Sequence, residues 1–204
     1  MAVLTISRQF GAGGLTLGKQ LADKLGYQFY NDQILQLISE KARVSQNWVK
    51  SIEREAGRKL HQTISNLMPK GVIDRIISND QGYIDETIYI ELLHQVITQL
   101  ADQGNAIILG RGGQYILKDK GDVYHILLIA EKGYRIRFIE AKYKLSRTAA
   151  EQVVNAEDKR RKNLYRKFEQ SDYDNPGHYH LTLNMSKLAL DQAIRMVCDM
   201  VSER

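Results

Sequence analysis

The sequence predicts an α/β fold whose parallel sheet is covered by helices on both faces, and three observations carry that expectation. Runs of strand composition begin near residues 3, 27, 106, 123 and 179, each separated from the next by helical sequence. Such a repeated βα pattern favours a parallel sheet between two helical layers. The runs Asn105-Ala106-Ile107-Ile108-Leu109 and Val123 to Ala130 are largely apolar, as strands buried on both faces are. Finally, the first strand passes into the first helix through Gly11, Gly13 and Gly14.

Val3-Leu4-Thr5-Ile6 is the first strand, and Leu17, Leu21 and Leu25 recur at helical spacing until Gly26 offers a stop. The glycines between them reach backbone angles closed to other residues, and the amides opening the following helix face an anion. This is a phosphate cradle in chemical terms, with a ligand-free tight turn as the alternative. The pattern GxxxxGK followed by Ser or Thr is not met, because Arg8 stands at the first glycine and Gly14 at the lysine. A dinucleotide fingerprint starting at Gly11 would need glycine where Thr16 stands.

Tyr27 to Tyr30 has strand composition, and Asn31 or Asp32 can cap a helix running through Ile34, Leu35 and Ile38. That places Asp32 at a strand's carboxyl end, the edge that lines the ligand crevice in open parallel sheets, although it also suits a plain cap. Residues 39–86 are polar and helical, with Trp48, Ile52, Leu60, Ile64 and Leu67 as sparse anchors. Pro69-Lys70-Gly71 and Asn79-Asp80-Gln81-Gly82 punctuate them. An amphipathic helix follows from Asp85 through Ile88, Leu92, Leu93, Val96, Ile97 and Leu100 to Gly104. The strand after it ends in Gly110-Arg111-Gly112-Gly113, and packing explains a glycine-flanked arginine at a strand's carboxyl end poorly. Tyr179 to Leu183 is the last strand, and a helix from Leu188 to Val201 closes the chain.

With 204 residues the chain suits one well-buried domain, 1–204, carrying insertions. At 43% hydrophobic and 26% charged residues it has the composition of a globular protein rather than a disordered one. Its single cysteine, Cys198, excludes an intramolecular disulfide, and neither a signal peptide nor a long apolar span is present, so a cytoplasmic location without membrane attachment is expected. The net charge of +5 is concentrated: residues 131–167 hold twelve Lys or Arg against five Asp or Glu, leaving the remainder at −2. One basic segment of this kind suits a phosphorylated small molecule. Interleaved Tyr134, Phe138, Tyr143, Tyr165 and Phe168 keep RNA as a lesser option. His61, His94, His125, His178 and His180 show no metal-ligand spacing, and no nucleophile–base pattern stands out.

Ser7-Arg8-Gln9-Phe10-Gly11-Ala12-Gly13-Gly14, with Gly18-Lys19-Gln20-Leu21-Ala22 behind it, resembles the opening of the cytidylate kinase-like family, a branch of the P-loop nucleoside monophosphate kinases. Later segments extend the resemblance over nearly the whole chain. They are Gly26 to Asp32, Ile108-Leu109-Gly110-Arg111, Glu157-Asp158-Lys159-Arg160-Arg161 and Tyr179 to Asn184. It implies a three-layer P-loop kinase fold with a five-stranded parallel sheet, a helical acceptor-binding insertion at about 39–86 and a basic lid at about 142–170. The activity implied is transfer of the ATP γ-phosphate to a nucleoside monophosphate or another small acceptor, with ATP and Mg2+ required and small-molecule nucleotides as partners. Homodimerisation stays open.

Within the resemblance, Gly11, Ala12, Gly13, Gly14, Leu15 and Thr16 bind nucleotide phosphates, and Thr16 holds magnesium directly or through water. Asp32, Arg43 and Arg111 face the acceptor, with Arg54 and Arg58 as further phosphate candidates. Arg8 or Lys19 replaces the missing loop lysine, Arg8 being favoured because its planar fork suits phosphate. Arg160, Arg161 and Arg166, with Lys159 and Lys162, form the catalytic lid set, of which Arg160 and Arg161 are expected to point apart. Cytidylate kinases proper carry aspartate where Gly112 stands, and the family often has one where His180 stands. Two rival readings remain: a nucleotide-binding sensor or regulatory protein with little turnover, because the lysine is gone, and an RNA-binding module.

Overall fold

β1 (Val3–Arg8) occupies the middle of a five-stranded sheet ordered β2-β3-β1-β4-β5, all of whose pairings are parallel. The computed structural model describes residues 2–54, 86–168 and 174–202. Arg58, the Arg54 side chain, the 55–85 part of the expected insertion and residues 169 and 170 of the expected lid lie outside the described residues.

From β1 the chain turns into α1 (Gly14–Leu25), which stops at Gly26 in a left-handed cap (φ 69). β2 (Gln28–Tyr30), α2 (Gln33–Ala42) and α3 (Gln46–Arg54) follow. After α4 (Glu86–Asp102) come β3 (Ala106–Leu109) and the single turn α5 (Gly113–Ile116). β4 (Val123–Ile129), α6 (Lys132–Tyr143) and α7 (Arg147–Arg166) lead through a 3-10 turn at Pro176–His178 to β5 (Leu181–Asn184) and α8 (Leu190–Ser202). All five expected strands form. β5 starts two residues late because the Tyr179 N–H closes the 3-10 turn onto the Pro176 carbonyl, and ladder pairing begins with the His180 N–H on the His125 carbonyl. α8 starts late because the Lys187 and Leu188 amides first close a turn on the Asn184 carbonyl.

Alternate residues of β1, β3 and β4 enter different cores, which is why these strands read as largely apolar runs. Leu4, Ile6, Ile107, Leu109, Ile126 and Leu128 pack under α1 and α8 with Leu17, Leu21 and Val197. Val3, Ala106, Ile108 and Val123 pack under α2, α3 and α4 with Ile34, Val49, Leu93 and Ile97. Leu164 and Tyr165 bring the end of α7 into that second core. A third, small cluster of Ile136, Ile139, Ala150 and Val154 joins α6 to α7.

The chain leaves β1 toward β2 on one side, while the β3–α5–β4 crossover carries it to the other. At such a switch point a crevice opens beyond the strands' carboxyl ends. Among the described residues no helix is long and apolar enough to cross a membrane.

Candidate active site

Beyond Arg8 the chain turns at Gly11 (φ 84) and Gly13 (φ 83), both in the left-handed region that glycine tolerates. A Cβ on Gly11 would stand 2.9 Å from the Arg135 carbonyl oxygen, so the loop lies directly on the backbone of α6. The first helical bond of α1 runs from the Leu17 N–H to the Gly13 carbonyl at 3.0 Å. The amides of Gly13, Gly14, Leu15 and Thr16 precede it and take no backbone acceptor among the described residues. No cap side chain and no acidic residue serves them either. The loop's carbonyls are occupied instead: Arg135 Nη1 donates to the Phe10 oxygen at 3.1 Å, and Arg161 Nη1 donates to the Arg8 oxygen. Gln9 pins the loop from its other side, accepting from the Ala130 N–H at 3.0 Å and donating to Asp174 at 3.2 Å. What stays open is a set of N–H donors at a helix N-terminus, which suits an anion.

Arg8 links this loop to a second feature. A Cβ on Gly14 would stand 2.9 Å from Arg8 Cγ, and one on Gly110 would overlap Arg8 Nη1. The arginine stem therefore crosses over Gly14, where the usual pattern has lysine, and its guanidinium rests on the end of β3. There a cavity of about 60 Å3 is lined by Arg8, Arg111, Arg160 and Arg161 together with Glu53 and Glu157. Burial, with Arg111, Arg160 and Arg161 nearby, lowers the Arg8 pKa to about 10, so it keeps its charge at neutral pH.

Arg111 stands in a run of three left-handed residues, Gly110 (φ 77), Arg111 (φ 55) and Gly112 (φ 74). A non-glycine residue there carries strain, a condition that clusters at functional sites. Its side chain is 9% exposed, donating from Nε to Glu53 at 3.1 Å and from Nη1 to the Asn31 carbonyl at 2.6 Å. A Cβ on Gly112 would stand 2.6 Å from the Phe168 ring. The aspartate of cytidylate kinases proper thus has no room while Phe168 fills that space.

The cavity brings together Arg8, Arg111, Arg160 and Arg161 of the expected residues. Arg160 and Arg161 do not diverge as expected. Successive helix positions point about 100° apart, yet long stems let Arg160 reach Glu53 at 3.2 Å and Arg161 reach Asp174 at 3.7 Å, both lining one cavity. Asp32 is outside the cavity lining but beside Arg111, 4.0 Å from its Nη2 and 85% exposed, and it makes no side-chain cap bond. Thr16 is half-buried in the first turn of α1. Lys19 and Arg166 are exposed and outside the cavity lining. Arg43 is exposed at the opposite end of α2, about 15 Å along the helix from Asp32.

Four residues not singled out from the sequence complete the arrangement. Glu53, 2% exposed, accepts from Tyr89 Oη at 2.7 Å as well as from Arg111 and Arg160. Arg135 pairs with Asp158 at 2.8 Å, and Asp158 also faces Arg161 at 3.7 Å, bracing the loop against α7. A signal existed for Glu53, which follows Val49 by four residues and Ile52 by one on the buried face of α3. A carboxylate on an apolar helix face needs buried partners. Acids from outside the basic segment reach into it, Glu53 to Arg160 at 3.2 Å, Asp174 to Arg161 at 3.7 Å and Glu86 to Lys167 at 3.0 Å, and so offset part of its charge.

Among the described residues no group of three His, Cys, Asp or Glu side chains converges to hold a metal ion. Magnesium at a nucleotide takes most of its ligands from water and phosphate oxygens, and Thr16 is the hydroxyl-bearing residue in the first turn of α1 beside the glycine loop.

The same fold recurs in solved structures along nearly their whole length. An uncharacterized protein from Eubacterium ventriosum ATCC 27560 is 16% identical, with 100% of each chain covered and a TM-score of 0.69. A shikimate kinase from Bacteroides thetaiotaomicron is 14% identical, with 98% of each chain covered and a TM-score of 0.54. A gluconokinase from Sinorhizobium meliloti 1021 is 10% identical over 99% of this chain and 92% of its own, with a TM-score of 0.51. At such identities the likeness is one of fold, the three-layer P-loop kinase architecture. No curated protein sequence matches the chain. The cytidylate kinase-like family matches residues 3–187, a span holding the glycine loop, Arg111 and all of α7. The chain therefore belongs to the cytidylate kinase-like family, as a kinase-like nucleotide-binding protein on the P-loop fold.

Proposed function

We propose that the protein is an ATP- and magnesium-dependent phosphotransferase, moving the γ-phosphate of ATP to a nucleoside monophosphate or another small acceptor. The observation that carries this reading is the path of Arg8, which joins the unpaired amides of the glycine loop to the arginine-lined cavity at the end of β3. A donor phosphate on the amides and an acceptor phosphate in the cavity would then lie on either side of one guanidinium.

The chemistry this asks for is alignment and charge neutralisation. With a phosphate acceptor, one of its oxygens forms the new bond to the γ-phosphorus while the bond to the β,γ-bridging oxygen breaks, releasing ADP. The acceptor oxygen is already largely ionised near neutral pH, so cations matter more than a base. The amides of Gly13 to Thr16 bind the donor's phosphates, and Arg8 takes the part of the absent loop lysine. Arg111 orients the acceptor, helped by the neighbouring Asp32, while Arg160 and Arg161 stabilise charge on the moving group. The Thr16 hydroxyl would hold magnesium, which would supply neutralisation of part of the phosphate charge. α7 makes up most of the described part of the basic lid at about 142–170, and α3 belongs to the acceptor-binding insertion at about 39–86.

The sensor reading keeps one observation in its favour, Gly14 in place of lysine. Ligand-dependent melting separates the readings. Millimolar ATP with magnesium is expected to raise the melting temperature by mass action. Absence of any shift would count against enzyme and sensor alike, and stabilisation by RNA but not ATP would favour the RNA-binding module.

A further inference from the structure

Four guanidiniums around one small cavity repel each other unless something fixes them, and Glu53 is placed to do so. It contributes one carboxylate oxygen to each side of the cavity. Oε1 accepts from Arg111 Nε at 3.1 Å and from the Tyr89 hydroxyl at 2.7 Å, and Oε2 accepts from Arg160 Nη1 at 3.2 Å. Tyr89 is fully buried and Glu53 is 2% exposed. The phenol stays a neutral donor because burial and the Glu53 charge push its pKa well up. Arg111 is held further by the Asn31 carbonyl and Arg160 by Glu157, whose Oε2 lies 2.8 Å from Arg160 Nε. The carboxylate thereby ties α3, α4, the turn after β3 and α7 at one point.

We propose that Glu53 is the positioning residue of this site, its two oxygens holding Arg111 and Arg160 in one arrangement so that an anionic acceptor meets a preformed cavity. The proposal rests on the phosphotransferase reading, because it concerns the same site. It also runs against simple charge bookkeeping. Glu53 lowers the positive charge that an anion sees, so Coulomb's law alone has its removal strengthen anion binding. Positioning has removal weaken it, because the freed guanidiniums separate and must be gathered again at the expense of side-chain entropy.

Calorimetric titration with inorganic phosphate at low ionic strength decides between these signs, using the full chain. Glu53→Gln keeps the shape and removes the charge and the acceptor for Arg160; about tenfold or greater loss of phosphate affinity is expected, the scale of one charged hydrogen bond. Tyr89→Phe alters no charge and touches no ligand, so it keeps the test decisive if Glu53→Gln fails to fold. About threefold weaker binding is expected there. Glu53→Asp retains the charge but shortens the reach, and it is expected to stay weak. A carboxylate with a purely structural part would lower the melting temperature and leave the phosphate affinity of the folded protein unchanged. Equal or tighter phosphate binding by Glu53→Gln overturns the proposal and leaves the phosphotransferase reading standing. A wild-type protein that neither binds phosphate nor is stabilised by ATP with magnesium overturns that reading and this proposal together.

Discussion

On the flank of β1 that faces α1 and α8, Leu4 and Ile6 are fully buried among aliphatic neighbours such as Leu17, Leu21, Ile107 and Leu128. At the carboxyl end of the same strand, Arg8 is surrounded by three other arginines and the acids that pair with them. The first region is held by area removed from water, which is non-directional and tolerates exchange of one aliphatic for another. The second is held by individual donors and acceptors, where one lost partner leaves a charge uncompensated. One strand thus carries a region whose disturbance registers as stability and a region whose disturbance registers as chemistry.

The largest expected effect belongs to the apolar region. Ile6→Ala should destabilise the protein by about 2 to 5 kcal/mol in denaturant titration, through lost transfer energy and the cavity left behind. Leftover nucleotide binding by the folded fraction should match wild type. Arg8→Ala should divide the two readouts the other way. Turnover or nucleotide binding should weaken by about 2 to 4 kcal/mol, the scale of one donor aimed at developing charge. The midpoint of unfolding should hold or rise, since a half-buried charge beside three like charges is removed. Arg8→Lys should restore part of the function, lacking the planar fork. A large stability loss in Arg8→Ala would erase the contrast between the regions.

A polar seam inside the sheet sharpens the comparison through pH. His125 is 4% exposed, its Nδ1 lies 2.7 Å from Thr5 Oγ1, and its N–H donates to His180 Nδ1 at 2.9 Å. Burial, with the neighbouring His180, lowers the His125 pKa from 6.5 to about 4. The unfolded chain therefore takes up a proton between those values that the folded chain refuses. Stability from this group is complete above pH 6.5 and falls as pH drops toward 4, by at most about 3 kcal/mol. His125→Gln should flatten that part of the stability–pH curve. Smallest of all, Lys132→Ala removes an exposed pair with Glu151 on the outer side of the α6–α7 hairpin, and the melting temperature is expected not to move.

What the sequence discloses follows the same division. Apolar runs placed β1, β3 and β4, because residues buried on either face of a parallel sheet are mostly apolar. Polar exceptions such as Thr5 and His125 pair with each other, and strand composition placed the edge strands β2 and β5. The glycine loop was equally legible, since backbone approach and left-handed angles require glycine at Gly11 and Gly13. Arg8 and Arg111 stood out by their position at strand ends. For Glu53 the spacing from Val49 and Ile52 signalled only a buried carboxylate, while its partner Arg160 lies 107 residues away and no local spacing discloses such a pair. The divergence expected of Arg160 and Arg161 failed for a related reason. Helical geometry fixes where Cβ points, whereas a long stem with buried acids to reach decides where the guanidinium ends. Lys19 and Arg43 had suitable chemistry and chain position, but their helices turn them to solvent.

Loop amides and cavity arginines are proposed to form one phosphoryl-transfer site. The most direct test is ADP release from ATP and magnesium across a panel of nucleoside monophosphates and other small phosphate esters, measured for wild type and Arg111→Ala side by side. Acceptor-dependent ADP release by the wild-type protein is expected, reduced by about tenfold or more in Arg111→Ala. ADP release that ignores every acceptor, or an Arg111→Ala variant as active as wild type, would contradict the proposal.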